Sequence, residues 1–116
     1  MKFNEATIGI PVTDLARATA WYQNAFDLGA PDQEPLPGLA EWNLGPVWLQ
    51  LAELPDTADV EGISLNISVD DATATQLLFA DKGLTVSDVQ RFEGAVEYFE
   101  LTDPDGNAIG FVTELG

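Results

Sequence analysis

Set against itself with a shift of 57 residues, the chain repeats. Ile8, Ile10 and Val12 fall on Leu65, Ile67 and Val69; Asp14 falls on Asp71, Tyr22 on Phe79, Trp42 on Phe99 and Leu44 on Leu101. The alternating apolar residues before each Asp predict a strand, and the spacing of Leu15, Ala18, Tyr22 and Phe26, and of Ala72, Thr75, Leu78 and Phe79, predicts a helix after it. Thr13 and Asp70 are the expected N-caps, and Gly29 and Gly83 the expected left-handed C-terminal residues. Three strand-like runs follow each helix. In the first copy they are a weak one at Asp32–Glu34, then Leu39–Leu44 and Val47–Glu53. In the second they are Leu84–Phe92, Val96–Thr102 and Ala108–Glu114. Asn43-Leu44-Gly45-Pro46 reads as a tight hairpin, and Asp103-Pro104-Asp105-Gly106-Asn107 as a longer one that moves the shift from 57 to about 60. Pro55 to Gly62 is a polar connector.

The expected fold is α+β, with two βαβββ repeats, about 1–57 and about 60–116, in one domain of 116 residues. Neither repeat buries its apolar face alone. Together they are expected to give a curved, mostly antiparallel eight-stranded sheet with the helices outside. The expected core is Ile8, Ile10, Val12, Trp42, Leu49, Leu51, Leu65, Ile67, Phe99, Leu101, Ile109 and Phe111. Alternation sends Thr7, Gly9, Glu41, Trp48, Gln50, Ser64, Asn66, Tyr98, Glu100, Gly110 and Val112 to the other, concave face. Trp21 and Tyr22 are expected to serve as core or dimer contacts.

Composition narrows the chemistry. The chain has no cysteine and no histidine, which removes disulfides, thiolate and imidazole ligands, and histidine-dependent triads. It has no phosphate-cradling glycine loop and no nucleophile elbow. Twenty acids face only Lys2, Arg17, Lys82 and Arg91, so the formal charge is −16. Such a chain repels phosphate backbones and anionic lipids, and no nucleic-acid or membrane partner is expected. The acids are spread along the chain, as solubility or a salty cytoplasm requires. No apolar run approaches the length of a membrane span, and Met1-Lys2-Phe3-Asn4-Glu5 lacks the apolar stretch of a secretory leader, so the expected location is cytoplasmic.

The stretch Ile8-Gly-Ile-Pro-Val-Thr-Asp-Leu-Ala-Arg-Ala-Thr-Ala-Trp-Tyr22 resembles the opening strand and helix of the vicinal oxygen chelate superfamily. Tyr98-Phe-Glu-Leu-Thr-Asp-Pro-Asp-Gly-Asn-Ala-Ile-Gly-Phe111 resembles its closing hairpin. That superfamily includes glyoxalase I, bleomycin-resistance proteins, extradiol dioxygenases and fosfomycin-resistance enzymes. The resemblance implies four metal-ligand positions, which in this chain carry Thr7, Gln50, Ser64 and Gly110. Only Gln50 is a good donor, so no metal and no cofactor is expected. The resemblance is then to the branch that sequesters basic, aromatic antibiotics such as bleomycin, usually as a homodimer.

The expected function is binding of a cationic or aromatic small molecule. The expected binding residues are Glu5, Thr7, Glu41, Trp48, Gln50, Ser64, Asn66, Tyr98 and Glu100. Trp48 and Tyr98 offer aromatic faces, and Glu5, Glu41 and Glu100 offer counter-charge. Gln50, Asn66 and Ser64 orient the ligand by hydrogen bonds. Two alternatives stay open. One is a lyase, isomerase or dioxygenase-type enzyme with an atypical acidic site, in which Glu100 is the first candidate base. The other is a non-catalytic interaction module.

Overall fold

A computed structural model of the chain describes residues 1–54 and 65–115. The described residues form two compact units, Met1–Ile63 and Ser64–Gly116. The first contains β1 (Thr7–Val12), α1 (Leu15–Phe26), β2 (Leu39–Asn43) and β3 (Trp48–Glu53). The second contains β4 (Leu65–Ser68), α2 (Ala72–Asp81), β5 (Thr85–Val86), β6 (Gln90–Phe92), β7 (Val96–Thr102) and β8 (Ala108–Glu114).

Both units lay their strands in the same order. In the first, β3 lies between a parallel β1 and an antiparallel β2; in the second, β8 lies between a parallel β4 and an antiparallel β7. Among the described residues there are eight strands, the expected number though not the expected set, divided three and five between two mixed sheets. The uneven division has two local causes. The run at Asp32–Glu34 does not become a strand, and only an isolated bridge joins Gln33 to Glu41. The run Leu84–Phe92 breaks into β5 and β6, which pair with the two ends of β7. In the gap between them, the Glu100 backbone N–H donates to the Ser87 hydroxyl at 2.8 Å.

The register corrects the internal alignment. Glu41 lies opposite Gln50, and Glu100 lies opposite Gly110, so Glu41 and Glu100 occupy equivalent places. Trp42 correspondingly matches Leu101, not Phe99. The second unit gains residues ahead of β7 as well as in the final turn.

Each helix starts at an Asp, one residue later than expected from Thr13 and Asp70. Asp14 accepts from the Arg17 N–H at 3.1 Å, and Asp71 from the Ala74 N–H at 3.0 Å. The next free amide of each helix is satisfied from the last strand of its own unit. Leu15 N–H donates to Glu53 Oε2 at 2.7 Å, and Ala72 N–H donates to Thr113 Oγ1 at 2.8 Å. At the far end of α1 the left-handed residue is Asp27, with φ 55°, and not Gly29. Gly29 instead presents its carbonyl to Gln23 Nε2 and Trp42 Nε1. Gly83 does take the left-handed conformation after α2, with φ 76°.

Alternation divides the sheet faces as expected. In the first unit Ile10, Val12, Ala40, Trp42, Leu49 and Leu51 are buried, as are Ala18, Tyr22 and Ala25 of α1, the helix that packs on β2 and β3. The Tyr22 ring sits edge-on to Trp21 and Phe26. In the second unit Phe99, Leu101, Ile109 and Phe111 are buried with Phe79 of α2, and Phe99 stacks on Phe111 at 5.2 Å. Ile8, Leu65 and Ile67, expected in the core, are only half-buried. Among the described residues no helix is long and apolar enough to cross a membrane.

Candidate functional site

In the first unit, Gly9, Gln50 and Glu41 stand side by side across β1, β3 and β2, on the sheet face away from the apolar core. Glu41 is only 7% exposed. An ionised carboxylate only accepts hydrogen bonds, so both neighbouring amides turn their Nε2 toward it. Gln33 donates to Oε1 at 2.5 Å and Gln50 to Oε2 at 2.6 Å. Among the described residues no cationic side chain pairs with Glu41. Gln50 Oε1 points back over Gly9, 3.1 Å from where a Cβ there would lie.

Trp48 follows on the same face of β3, two residues from Gln50 and roughly 7 Å away along the strand. It lies opposite Thr7 and Asn43. Thr7 is exposed at the start of β1. Glu5 and Trp48 share a half-open recess of about 180 Å³ that is also lined by Asn4, Ala6 and the hairpin residues Asn43 and Gly45–Val47.

The second unit carries the equivalent row, Asn66, Gly110 and Glu100, with small and long residues exchanged. Here the glycine is on the last strand, and the Tyr98 ring and the Asn66 amide close over it. A Cβ at Gly110 would collide with Asn66 Oδ1 and approach Tyr98 Cε2 to 2.7 Å. Burial first, then a hydrogen bond to Glu100 and its negative charge, raise the Tyr98 hydroxyl above the ordinary tyrosine pKa.

The expected residues thus gather as Glu41, Trp48 and Gln50 on one sheet, with Glu5 ahead of β1 beside Trp48, and as Asn66, Tyr98 and Glu100 on the other. Thr7 sits at the margin of the first set. Ser64 lies outside the described residues. Sequence reasoning missed Gln33, Ser87, Asn4 and Asn43. Gln33 belongs to a run too weak to reveal its pairing with Glu41, and Ser87 is disclosed only by the break between β5 and β6.

The four positions at which the family resemblance implies a divalent ion bear on cofactor chemistry. Thr7 offers a hydroxyl and Gln50 an amide already committed to Glu41. Gly110 offers no side chain, and the space one would take is filled by Asn66 and Tyr98. Among the described residues, no three Asp or Glu side chains converge as metal ligands. This donor set does not fit a catalytic divalent ion.

Solved structures share the whole fold. A glyoxalase / bleomycin resistance protein from Catenulispora acidiphila is 24% identical, with 96% of this chain and 98% of that one covered and a TM-score of 0.77. TnmS3, an antibiotic binding protein from Streptomyces sp. CB03234, is 18% identical, with 98% of each chain covered and a TM-score of 0.80. A lactoylglutathione lyase from Agrobacterium tumefaciens is 19% identical, with 97% and 95% covered and a TM-score of 0.73. No curated protein matches the sequence. The family model of the glyoxalase/bleomycin resistance protein/dioxygenase superfamily matches residues 4–111, and the chain belongs to that superfamily.

Proposed function

We propose that this protein binds and sequesters a cationic, aromatic small molecule without the help of a metal ion. The observation that carries this reading is Glu41, a carboxylate 7% exposed and held by neutral amides, with no described cation beside it. Two charge-assisted hydrogen bonds offset only part of the cost of burying that charge. A cationic ligand group supplies the missing counter-charge, and the Trp48 ring on the same face takes a planar group. Gln50 joins the two by fixing the carboxylate. The antibiotic-binding activity of TnmS3, which shares the fold, fits this reading. We also propose that the protein is a single domain, acts in the cytoplasm and forms a homodimer, the last to be checked by light scattering on eluting protein.

The test is thermal unfolding against a panel of cationic aromatic compounds with bleomycin among them, run with and without EDTA. A ligand at a hundredfold excess over its Kd stabilises by about 2.7 kcal/mol. The expected result is a rise in Tm that survives EDTA and is lost in Glu41→Gln. No rise across the panel, or one that EDTA abolishes, sinks the proposal.

A further inference from the structure

We infer that the recess between residues 4–6 and the β2–β3 hairpin is a separate binding site for a small organic ammonium group. Three observations support it. First, the recess carries an acid and an aromatic residue and no base: Glu5, Trp48, Asn4 and Asn43 are among the residues that line it, and none of its described lining residues is basic. Its volume of about 180 Å³ matches a ligand of modest size, since a liquid water takes up roughly 30 Å³.

Second, its walls are held in place without using the groups that face it. The Asn43 N–H donates to Asp32 Oδ2 at 2.7 Å, and Asn43 Oδ1 accepts from Gly45 N–H at 2.9 Å, so the hairpin pins this wall without drawing on Glu5. The Trp48 N–H is bonded to the Ala6 carbonyl at 2.9 Å, fixing the strand segment beneath the indole. Gly45, with φ 99°, and Pro46 turn the hairpin without laying a large side chain over the opening.

Third, the repeat supplies an internal comparison. The second unit's corresponding hairpin is filled by its own Asp103, whose carboxylate accepts from Asp105 N–H, Asn107 N–H and Asn107 Nδ2. The place of Trp48 there is taken by Ala108, opposite Thr102 as Trp48 is opposite Asn43. The aromatic wall and the open turn occur together in the first unit. A cation over the indole face with a carboxylate beside it is an arrangement that favours ammonium over a neutral isostere. The site shares Trp48 with the face described above but does not depend on Glu41.

The experiment is a two-dimensional NMR titration of the full chain with benzylammonium, and in parallel with neutral benzyl alcohol. The Trp48 indole and the Asn4 and Asn43 side-chain amide signals are expected to move along a saturating curve with benzylammonium and to stay put with benzyl alcohol. Glu5→Gln, an exposed and isosteric change, is expected to weaken binding about fivefold. Equal shifts with the alcohol, or an unchanged Kd in Glu5→Gln, overturn the inference. Failure of bleomycin to stabilise the protein, with the benzylammonium shifts intact, overturns only the reading built on Glu41.

Discussion

Asn66 and Gly110 lie directly opposite each other on the parallel strands β4 and β8, and the Asn66 amide occupies the space that a side chain on residue 110 would need. The Tyr98 ring closes the same space from β7. Gly110 is thus a packing requirement of this sheet as well as an absent donor. Gly110→Ala is expected to lose about 1–3 kcal/mol of stability, because a ring and an amide must both move. Gly9→Ala meets only the end of Gln50, at 3.1 Å, and is expected to cost less. Urea denaturation of the two variants checks the order; equal costs refute the packing argument.

The final turn depends on a buried acid. Asp103 is 4% exposed and gathers three N–H donors from Asp105 and Asn107. Asp103→Ala strips the partner from all three, and an unsatisfied buried group costs about 1–3 kcal/mol. The urea midpoint is expected to fall, and Asp103→Asn to recover part of the loss by keeping one acceptor oxygen. Full recovery in Asp103→Asn would show that the charge is irrelevant.

Helix caps offer a cleaner pair. Asp14 and Asp71 hold equivalent places in the two units and share no partner. Each change to Ala is expected to cost about 1 kcal/mol, and the double variant about the sum. Chemical denaturation reads both. A large departure from additivity contradicts the view that each unit caps its own helix independently.

The raised pKa of Tyr98 has a signed consequence. Both folded and unfolded chains keep this hydroxyl protonated below about pH 10, the ordinary tyrosine value. Above it the unfolded chain releases its proton first, so stability falls as pH rises toward the folded value. The contribution is therefore present below pH 10 and lost above it. Tyr98→Phe is expected to flatten the alkaline slope of the unfolding free energy. A slope identical to that of the parent protein counts against the Glu100 hydrogen bond.

The net charge of −16 acts against compactness. Raising sodium chloride from 0.01 to 1 M shortens the screening length from about 30 Å to about 3 Å. Tm is expected to climb and then level off. A flat response means that the dispersed acids do not repel one another measurably.

Much of the fold was legible because its signals are local and doubled. The strand-Asp-helix unit appears twice, and the bounds of β7 and β8 are those of their alternating runs. What escaped was phase. Thr13 and Asp14 are both good caps, and the choice between them depends on where the helix begins after β1. Matching Trp42 to Phe99 or to Leu101 differs by two residues, and a step of two preserves strand parity. The pattern of apolar residues therefore cannot separate the two alignments; only the hydrogen-bonded register does. The site was legible as a set of faces: Glu41, Gln50 and Trp48 point where alternation sends them. Gln33 was not, because its bond to Glu41 comes from a segment with no strand pattern.

That segment has a consequence of its own. Asp32 and Gln33 both donate their N–H groups to the Glu41 carbonyl, Gln33 accepts from Glu41 N–H, and the Asp32 side chain takes Asn43 N–H. The outer rim of β2 is thereby occupied by a short, charged stretch of the protein's own chain. A bare rim there would invite strand addition from another molecule. Loosening residues 32–33 should therefore show itself as a tendency to form fibrils at high concentration.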